Sequence, residues 1–133
     1  MKVLRWSLLL GAIYFMMVSI AHLMGLKVPL LFIYYNVPSM VYQDIIISFL
    51  SFGWAIFLLT AALNPDKNTN LIRGIIAAGI IALLGLGYIN IFFDFHDFAN
   101  RVSIKNYWYE TYGLAFFLMW IIYFYRRAKK KTN

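Results

Sequence analysis

The chain alternates between long apolar stretches and short polar segments. The apolar stretches run over residues 6–24, 45–63, 75–93 and 107–125. Each is close to the ~20 residues that a helix needs to cross a hydrocarbon core of about 30 Å. Inside lipid every backbone N–H and C=O must find a partner within the protein, so such stretches are helical. The pattern predicts transmembrane helices over about residues 5–25, 42–63, 71–95 and 106–126.

These stretches predict an all-α integral membrane protein that folds as a four-transmembrane-helix bundle. The bundle is expected to form a single domain over residues 1–133, in which residues 127–133 are a basic cytoplasmic tail. The composition agrees, because 63% of the residues are hydrophobic and 13% are charged, against about 45–50% apolar and 25% charged in soluble domains. The chain has no cysteine, which excludes disulfides and thiolate chemistry.

The first apolar stretch also has the pattern of a signal peptide. Lys2 and Arg5 precede it, and Ser19-Ile20-Ala21 is a small-x-small sequence of the kind that signal peptidases cleave. However, the apolar stretch is longer than the core of a usual signal peptide. We therefore interpret it as a transmembrane helix.

Lysines and arginines are distributed unevenly between the two ends of the predicted helices. Nine of the 12 flank the N terminus, the 64–72 loop or the C-terminal tail, and three lie at the opposite end. The end richer in these residues faces the cytoplasm, so the sequence predicts an N-in/C-in topology. Because the basic residues adjoin apolar stretches, we expect the lipid bilayer, and no nucleic acid, as a partner. The frequent lysine and asparagine and the lack of an N-glycosylation sequon favour a bacterial plasma membrane.

The connection between the first and second helices, residues 27–41, is apolar but is interrupted by prolines and tyrosines. It is too short to cross the membrane as a helix and too apolar for a free loop. We expect an interfacial or re-entrant segment that lies at the outer surface or folds over the bundle.

Small residues suggest how the helices pack. Helix 3 has Gly74, Ala78 and Ala82 at four-residue spacing, and comparable small faces occur in helices 1 and 2. In lipid, where apolar burial drives no association, small residues allow helices to approach closely. Such rows serve contacts within the chain, in a homo-oligomer or with another membrane protein.

Most acidic residues and both histidines fall at the outer ends of the predicted helices. Because ionisable groups that face lipid are costly, we expect them to point into the bundle. The row from Gly74 through Ala82 continues to Asn90 and Asp94 on one helical face. We predict an outward-facing polar pocket, covered by residues 27–41, that binds a small or lipid-like ligand. Its predicted ligand-binding residues are His22, Asp44, Asn90, Asp94, His96, Asp97 and Glu110.

Other interpretations of these residues are open. Acids outside and bases inside also result from topology alone, and Asp44 and Glu110 are suited to helix N-termini. The alternatives for function are an accessory subunit of a larger membrane complex, a small dimeric channel or transporter, and a membrane-embedded metal-dependent enzyme. Imidazole and carboxylate suit zinc, iron or manganese, but no fixed spacing such as HExxH occurs. The sequence therefore assigns no metal site, cofactor or catalytic residue.

Overall fold

A computed structural model describes residues 2–97 and 102–130 of the chain. Within these residues the protein is all-helical and contains no strand, which confirms the predicted all-α class. The α-helices are α1 (Lys2–Leu23), α2 (Val41–Leu63), α3 (Thr69–Phe92) and α4 (Ile104–Lys129), and a short 3-10 helix spans Phe95–Asp97.

In the described part of the chain, three helices are long and apolar enough to cross a membrane: α1, α2 and α3. These helices indicate a membrane protein. Helix α4 has a lower mean hydropathy because its first turns carry Lys105, Asn106 and Glu110 and its last turn carries Arg126 and Arg127.

The turn between α2 and α3 shows how polar residues end an apolar helix. Helix α2 ends at Leu63, directly before Asn64-Pro65, because the residue that precedes a proline avoids the helical conformation. The side-chain amide of Asn68 donates to the carbonyl of Thr60 at 2.8 Å. This bond satisfies one of the carbonyl groups that the last helical turn leaves unpaired.

The hydrophobic core lies at one end of the bundle. Its largest members include Leu4 and Leu8 of α1, Leu58 of α2, Ile72 of α3 and Ile121 of α4. We call this the tail end, since it carries the two ends of the described chain and the turn between α2 and α3. We call the opposite end, which carries the connection between α1 and α2, the roofed end.

The helices pack as two pairs. Helices α1 and α2 are in contact along their lengths, whereas α3 touches α4 much less, and α1 touches α4 and α2 touches α3 less still. The small faces predicted in α1 and α2 are buried, and the Ser19 and Ser48 hydroxyls lie 3.3 Å apart between them. Tight packing in one pair and loose packing between the pairs leave space in the middle of the bundle.

The predicted packing face of α3 differs from the observed one. Gly74 is exposed, and a Cβ atom built there meets nothing within 4 Å. Instead Gly79 packs on α4, where a Cβ atom would lie 3.0 Å from Leu118 Cδ1. The inward face of α3 also includes Ile72 and Ile75, so Gly74 lies outside it, whereas Asn90, further along the same four-residue row, is buried.

Candidate functional site

Residues 24–40, which we call the roof, fold over one end of the bundle. This segment contains no helix, and its side chains and backbone contact all four α-helices in the described part of the chain. The contacts reach Tyr14 of α1, Asp44 of α2, Asn90 of α3 and Glu110 of α4. The roof therefore ties together helix ends that have little direct contact between the pairs.

Leu30 anchors the roof through its backbone. Its N–H donates to Glu110 Oε1 at 3.1 Å, and its C=O accepts from the Tyr14 hydroxyl at 2.6 Å. Its φ angle is 72°, a left-handed conformation that costs a residue with a side chain about 1–2 kcal/mol. The two hydrogen bonds, one from α1 and one from α4, hold the backbone in this conformation.

Tyr34 links the roof to α3 and α4. Its hydroxyl donates to Asn90 Oδ1 at 3.0 Å, and Asn90 Nδ2 donates to Thr111 Oγ1 at 3.0 Å. Burial, with a further contribution from the neighbouring Tyr107, raises the pKa of Tyr34 to about 12. The Tyr34 hydroxyl therefore stays protonated at neutral pH and remains a donor to Asn90.

A histidine and an aspartate meet beneath the roof. His22 Nδ1 lies 3.2 Å from Asp44 Oδ1, and both residues are only 7% exposed. Ser39 Oγ donates to the second carboxylate oxygen, Oδ2, at 2.7 Å. The ring of Phe32 stacks on the imidazole, with the ring centroids 3.5 Å apart. Asp44 thus fixes the orientation of His22, and Phe32 shields the pair from water.

The Asp44 contact also determines the hydrogen-bonding role of the other imidazole nitrogen. Facing a carboxylate, Nδ1 of a neutral ring carries the proton, so Nε2 is left with a lone pair. Among the described residues, Nε2 has no hydrogen-bond partner, and it is not among the buried, unpartnered polar atoms. A neutral His22 therefore has a free acceptor at Nε2, and the residue lines the space described next.

A cavity of about 730 Å³ lies between the two helix pairs. Apolar residues form most of its wall, down to Leu58, Ile75 and Ile121 near the tail end. Deeper along α2 lie Ser51, about two helical turns below Asp44, and Trp54, whose indole carries an N–H donor. The other polar side chains on the described lining all belong to the roofed end: Tyr14, His22, Tyr34, Ser39 and Asp44. The cavity thus has a polar head and a long apolar body.

The cavity opens sideways between α2 and α3, which hardly touch each other. Its lining residues Ile47 and Leu50 on α2 are 40% and 55% exposed. On α3, the lining residues Ala82 and Gly85 are exposed as well. A molecule can therefore enter from the side of the bundle without passing the roof.

Another cavity, of about 420 Å³, lies between α1 and α4. Glu110 lines it at the roofed end, and Tyr14 and Phe117 separate it from the larger cavity because they line both. Glu110 Oε2 is buried without a hydrogen-bond partner among the described residues. Glu110 thus belongs to a different part of the bundle from the pair formed by His22 and Asp44.

The structure separates the predicted ligand-binding residues into four groups. His22 and Asp44 line the large cavity in contact with each other, and Glu110 lines the smaller one. Asn90 is buried in the contact with Tyr34 and lines neither cavity. Asp94, His96 and Asp97 are exposed and line neither cavity.

The exposed position of Asp94 has a local cause. Helix α3 ends at Phe92, not at residue 95 as predicted, so Asp94 leaves the helical face that it would share with Asn90. Its Oδ1 instead accepts the backbone N–H of His96 at 3.0 Å in the following turn. In the part of the chain that the structure describes, no three His, Cys, Asp or Glu side chains form a group that could hold a metal ion.

Of the polar head, Tyr14, Tyr34 and Ser39 were not predicted from the sequence, and neither was Phe32, whose ring stacks on His22. Ser39 precedes Asp44 by five residues, and Phe32 lies in a segment without helical periodicity, so neither pattern nor spacing identifies them.

Comparisons of the chain with protein-family models, with curated proteins and with solved structures find no match. The chemistry of the cavity is therefore the basis on which a function is inferred.

If the Asp44 carboxylate organises the head, Asp44→Ala should lower the free energy of unfolding by about 2–4 kcal/mol, because His22 and Ser39 lose their buried partner. Asp97→Ala is the matched control, since Asp97 is exposed, and should change it by less than about 0.5 kcal/mol. Denaturant unfolding in detergent measures both. Equal effects would contradict the assigned role of Asp44.

Proposed function

We propose that the protein is a four-span integral membrane protein with both termini in the cytoplasm, and that its large cavity binds a lipid-like ligand. The observation that carries the proposal is the form of the cavity. Its polar side chains are gathered beneath the roof, and its body of about 730 Å³ is apolar and open to the side.

Three features support α4 as the fourth span. Its 26 residues extend over about 39 Å at 1.5 Å per residue, more than the ~30 Å of a hydrocarbon core. Its apolar residues Leu118 and Ile121 are buried against the other helices. Its acidic residue, Glu110, bonds to the roof and so is held by protein rather than by lipid.

The charge distribution supports the orientation. Lys2, Arg5, Lys67, Arg73 and the basic residues that end α4 all lie at the tail end. Under the positive-inside rule this end faces the cytoplasm. The roof then lies on the outer side, and a bacterial plasma membrane remains our proposed location.

Several properties of the cavity favour a lipid-like ligand over a water-soluble one. Its volume falls within the ~300–1,000 Å³ typical of small-molecule sites. In the proposed orientation, its side opening between α2 and α3 faces the hydrocarbon core, where amphiphiles are concentrated. Apart from Ser51 and Trp54, its polar side chains lie at one end, as the head and tail of an amphiphile require.

The pair formed by His22 and Asp44 also favours a second candidate function, a membrane-embedded enzyme. A histidine held by a carboxylate, with its other nitrogen free, is the arrangement of a general base. Ser39 donates to Asp44 and not to His22, so it is not placed as a nucleophile that the histidine activates. In this second function the base would act on a group of the bound ligand.

The topology can be tested with single-cysteine variants, because the chain has no cysteine. Asn36→Cys in the roof should react with a membrane-impermeant maleimide on intact cells. Lys67→Cys and Lys130→Cys, both exposed at the tail end, should react only after the cells are permeabilised. Labelling of Lys130→Cys on intact cells would contradict a fourth span that returns the C terminus to the cytoplasm.

Ligand binding can be tested by filling the cavity. Ala82 lines it and is exposed, so Ala82→Phe places a ring in the open space without displacing packed atoms. Ala77→Phe, on the same helix but outside the cavity, is the matched control. We expect Ala82→Phe to weaken saturable binding of a photoreactive long-chain alcohol at least about tenfold, a loss of about 1.4 kcal/mol. Ala77→Phe should bind as the unaltered chain does, and equal binding by both variants would contradict the proposal.

A further inference from the structure

The hydrogen bonds at the head of the large cavity are almost all made within the protein. The Asp44 carboxylate accepts hydrogen bonds from His22 and Ser39, and the Tyr34 hydroxyl donates to Asn90 Oδ1. Tyr14 donates to the Leu30 carbonyl. At the head, the side-chain atom left without a partner is therefore His22 Nε2, whose lone pair requires a donor, whereas Ser51 and Trp54 lie deeper along the wall.

The charges at the head disfavour anionic ligands. No lysine or arginine is among the described residues that line the cavity, whereas the carboxylate of Asp44 does line it. Lys27, on the roof, is exposed, and its ammonium group donates to the Val37 carbonyl at 3.4 Å. A carboxylate or phosphate head would thus meet the like charge of Asp44 on the lining, whereas Lys27, which acts electrostatically on His22, lies outside the lining.

The length of the cavity requires an elongated apolar tail. Its wall on α2 extends from Asp44 to Leu58, about 21 Å along the axis at 1.5 Å per residue. This exceeds the ~15 Å thickness of one hydrocarbon leaflet. Phe15, Trp54 and Phe117 contribute aromatic faces to the wall, and these pack against hydrocarbon without requiring hydrogen bonds.

From these three observations we infer that the cavity selects a neutral amphiphile, with a hydroxyl group that donates to His22 Nε2 and an elongated apolar tail that lies along α2. This inference rests on the proposed binding function and adds the chemical class of the ligand. Phosphate-bearing and carboxylate-bearing lipids are rejected by the head, although their tails would fit the body.

Trp54 lines the cavity and can report binding. The other tryptophans, Trp6, Trp108 and Trp120, do not line it, so the variant Trp6→Phe/Trp108→Phe/Trp120→Phe leaves one fluorophore. The full-length variant in nanodiscs is titrated with brominated probes that share one long tail and quench tryptophan on contact. The heads compared are a primary alcohol, its methyl ether, a carboxylate and an amine.

We expect the alcohol to quench saturably at a concentration at least about tenfold below that of the ether and the carboxylate, because one hydrogen bond to a buried group is worth about a factor of ten. The amine should also bind more weakly than the alcohol, because removing an ammonium group from water costs more than its attraction to Asp44, which already has two partners, would offset. In the tryptophan variant, adding His22→Phe should remove the preference for the alcohol over the ether and still permit quenching. His96→Phe, which alters an exposed histidine outside the cavity, should preserve the preference.

The other outcomes separate the inference from the proposed function. Equal saturable quenching by all four probes, or tighter binding of the amine or the carboxylate, would overturn the hydroxyl selection and leave lipid binding intact. Saturable quenching by none of them would overturn both. If the variant that keeps only Trp54 does not fold, native mass spectrometry ranks the binding of the same four probes to the unaltered chain. The same rankings would then support or overturn the inference.

Discussion

A polar group in the interior of a membrane protein must find its partner within the protein, because the surrounding hydrocarbon offers none. This constraint organises the roofed half of the bundle. His22 and Asp44 join α1 to α2, and Asn90 and Thr111 join α3 to α4. The roof then bonds to both pairs. The tail half is held differently, since its interior is a core of aliphatic side chains. The molecule thus combines apolar packing at one end with mostly paired polar groups at the other, where Glu110 Oε2 and the Tyr107 hydroxyl are buried without a hydrogen-bond partner among the described residues.

The cavity results from this division. Where aliphatic side chains interlock, the helices close on one another, and where they are joined through the roof they stay apart. The roof is itself under constraint, because Leu30 keeps a left-handed backbone that Tyr14 and Glu110 hold in place. A head bounded by satisfied hydrogen bonds leaves few groups for a ligand, and this scarcity gives the site its proposed specificity. The large volume and the side opening would accommodate the apolar tail of the proposed ligand.

Part of this structure could be predicted from the sequence. Runs of apolar residues determine the all-helical class, because length and hydropathy depend on composition and not on tertiary contacts. His22 and Asp44 could be assigned to one polar region because they fall at the same ends of neighbouring helices. Asp94 could not be placed correctly, since its position depends on where α3 ends, and a shift from residue 95 to Phe92 removes it from the helix. The contact of Ser39 was unpredictable for a related reason: the roof has no periodicity from which to infer a side chain's direction.

The proposed function requires that the large cavity holds a lipid-like molecule in the membrane. Native mass spectrometry of the chain released from nanodiscs made of its host's own lipids tests this most directly, because a retained ligand adds its own mass. We expect the released chain to retain a single bound molecule that has an apolar tail and a neutral, hydroxyl-bearing head. Release of the chain without any bound amphiphile, or with a mixture of bulk phospholipids in proportion to their abundance, would contradict it.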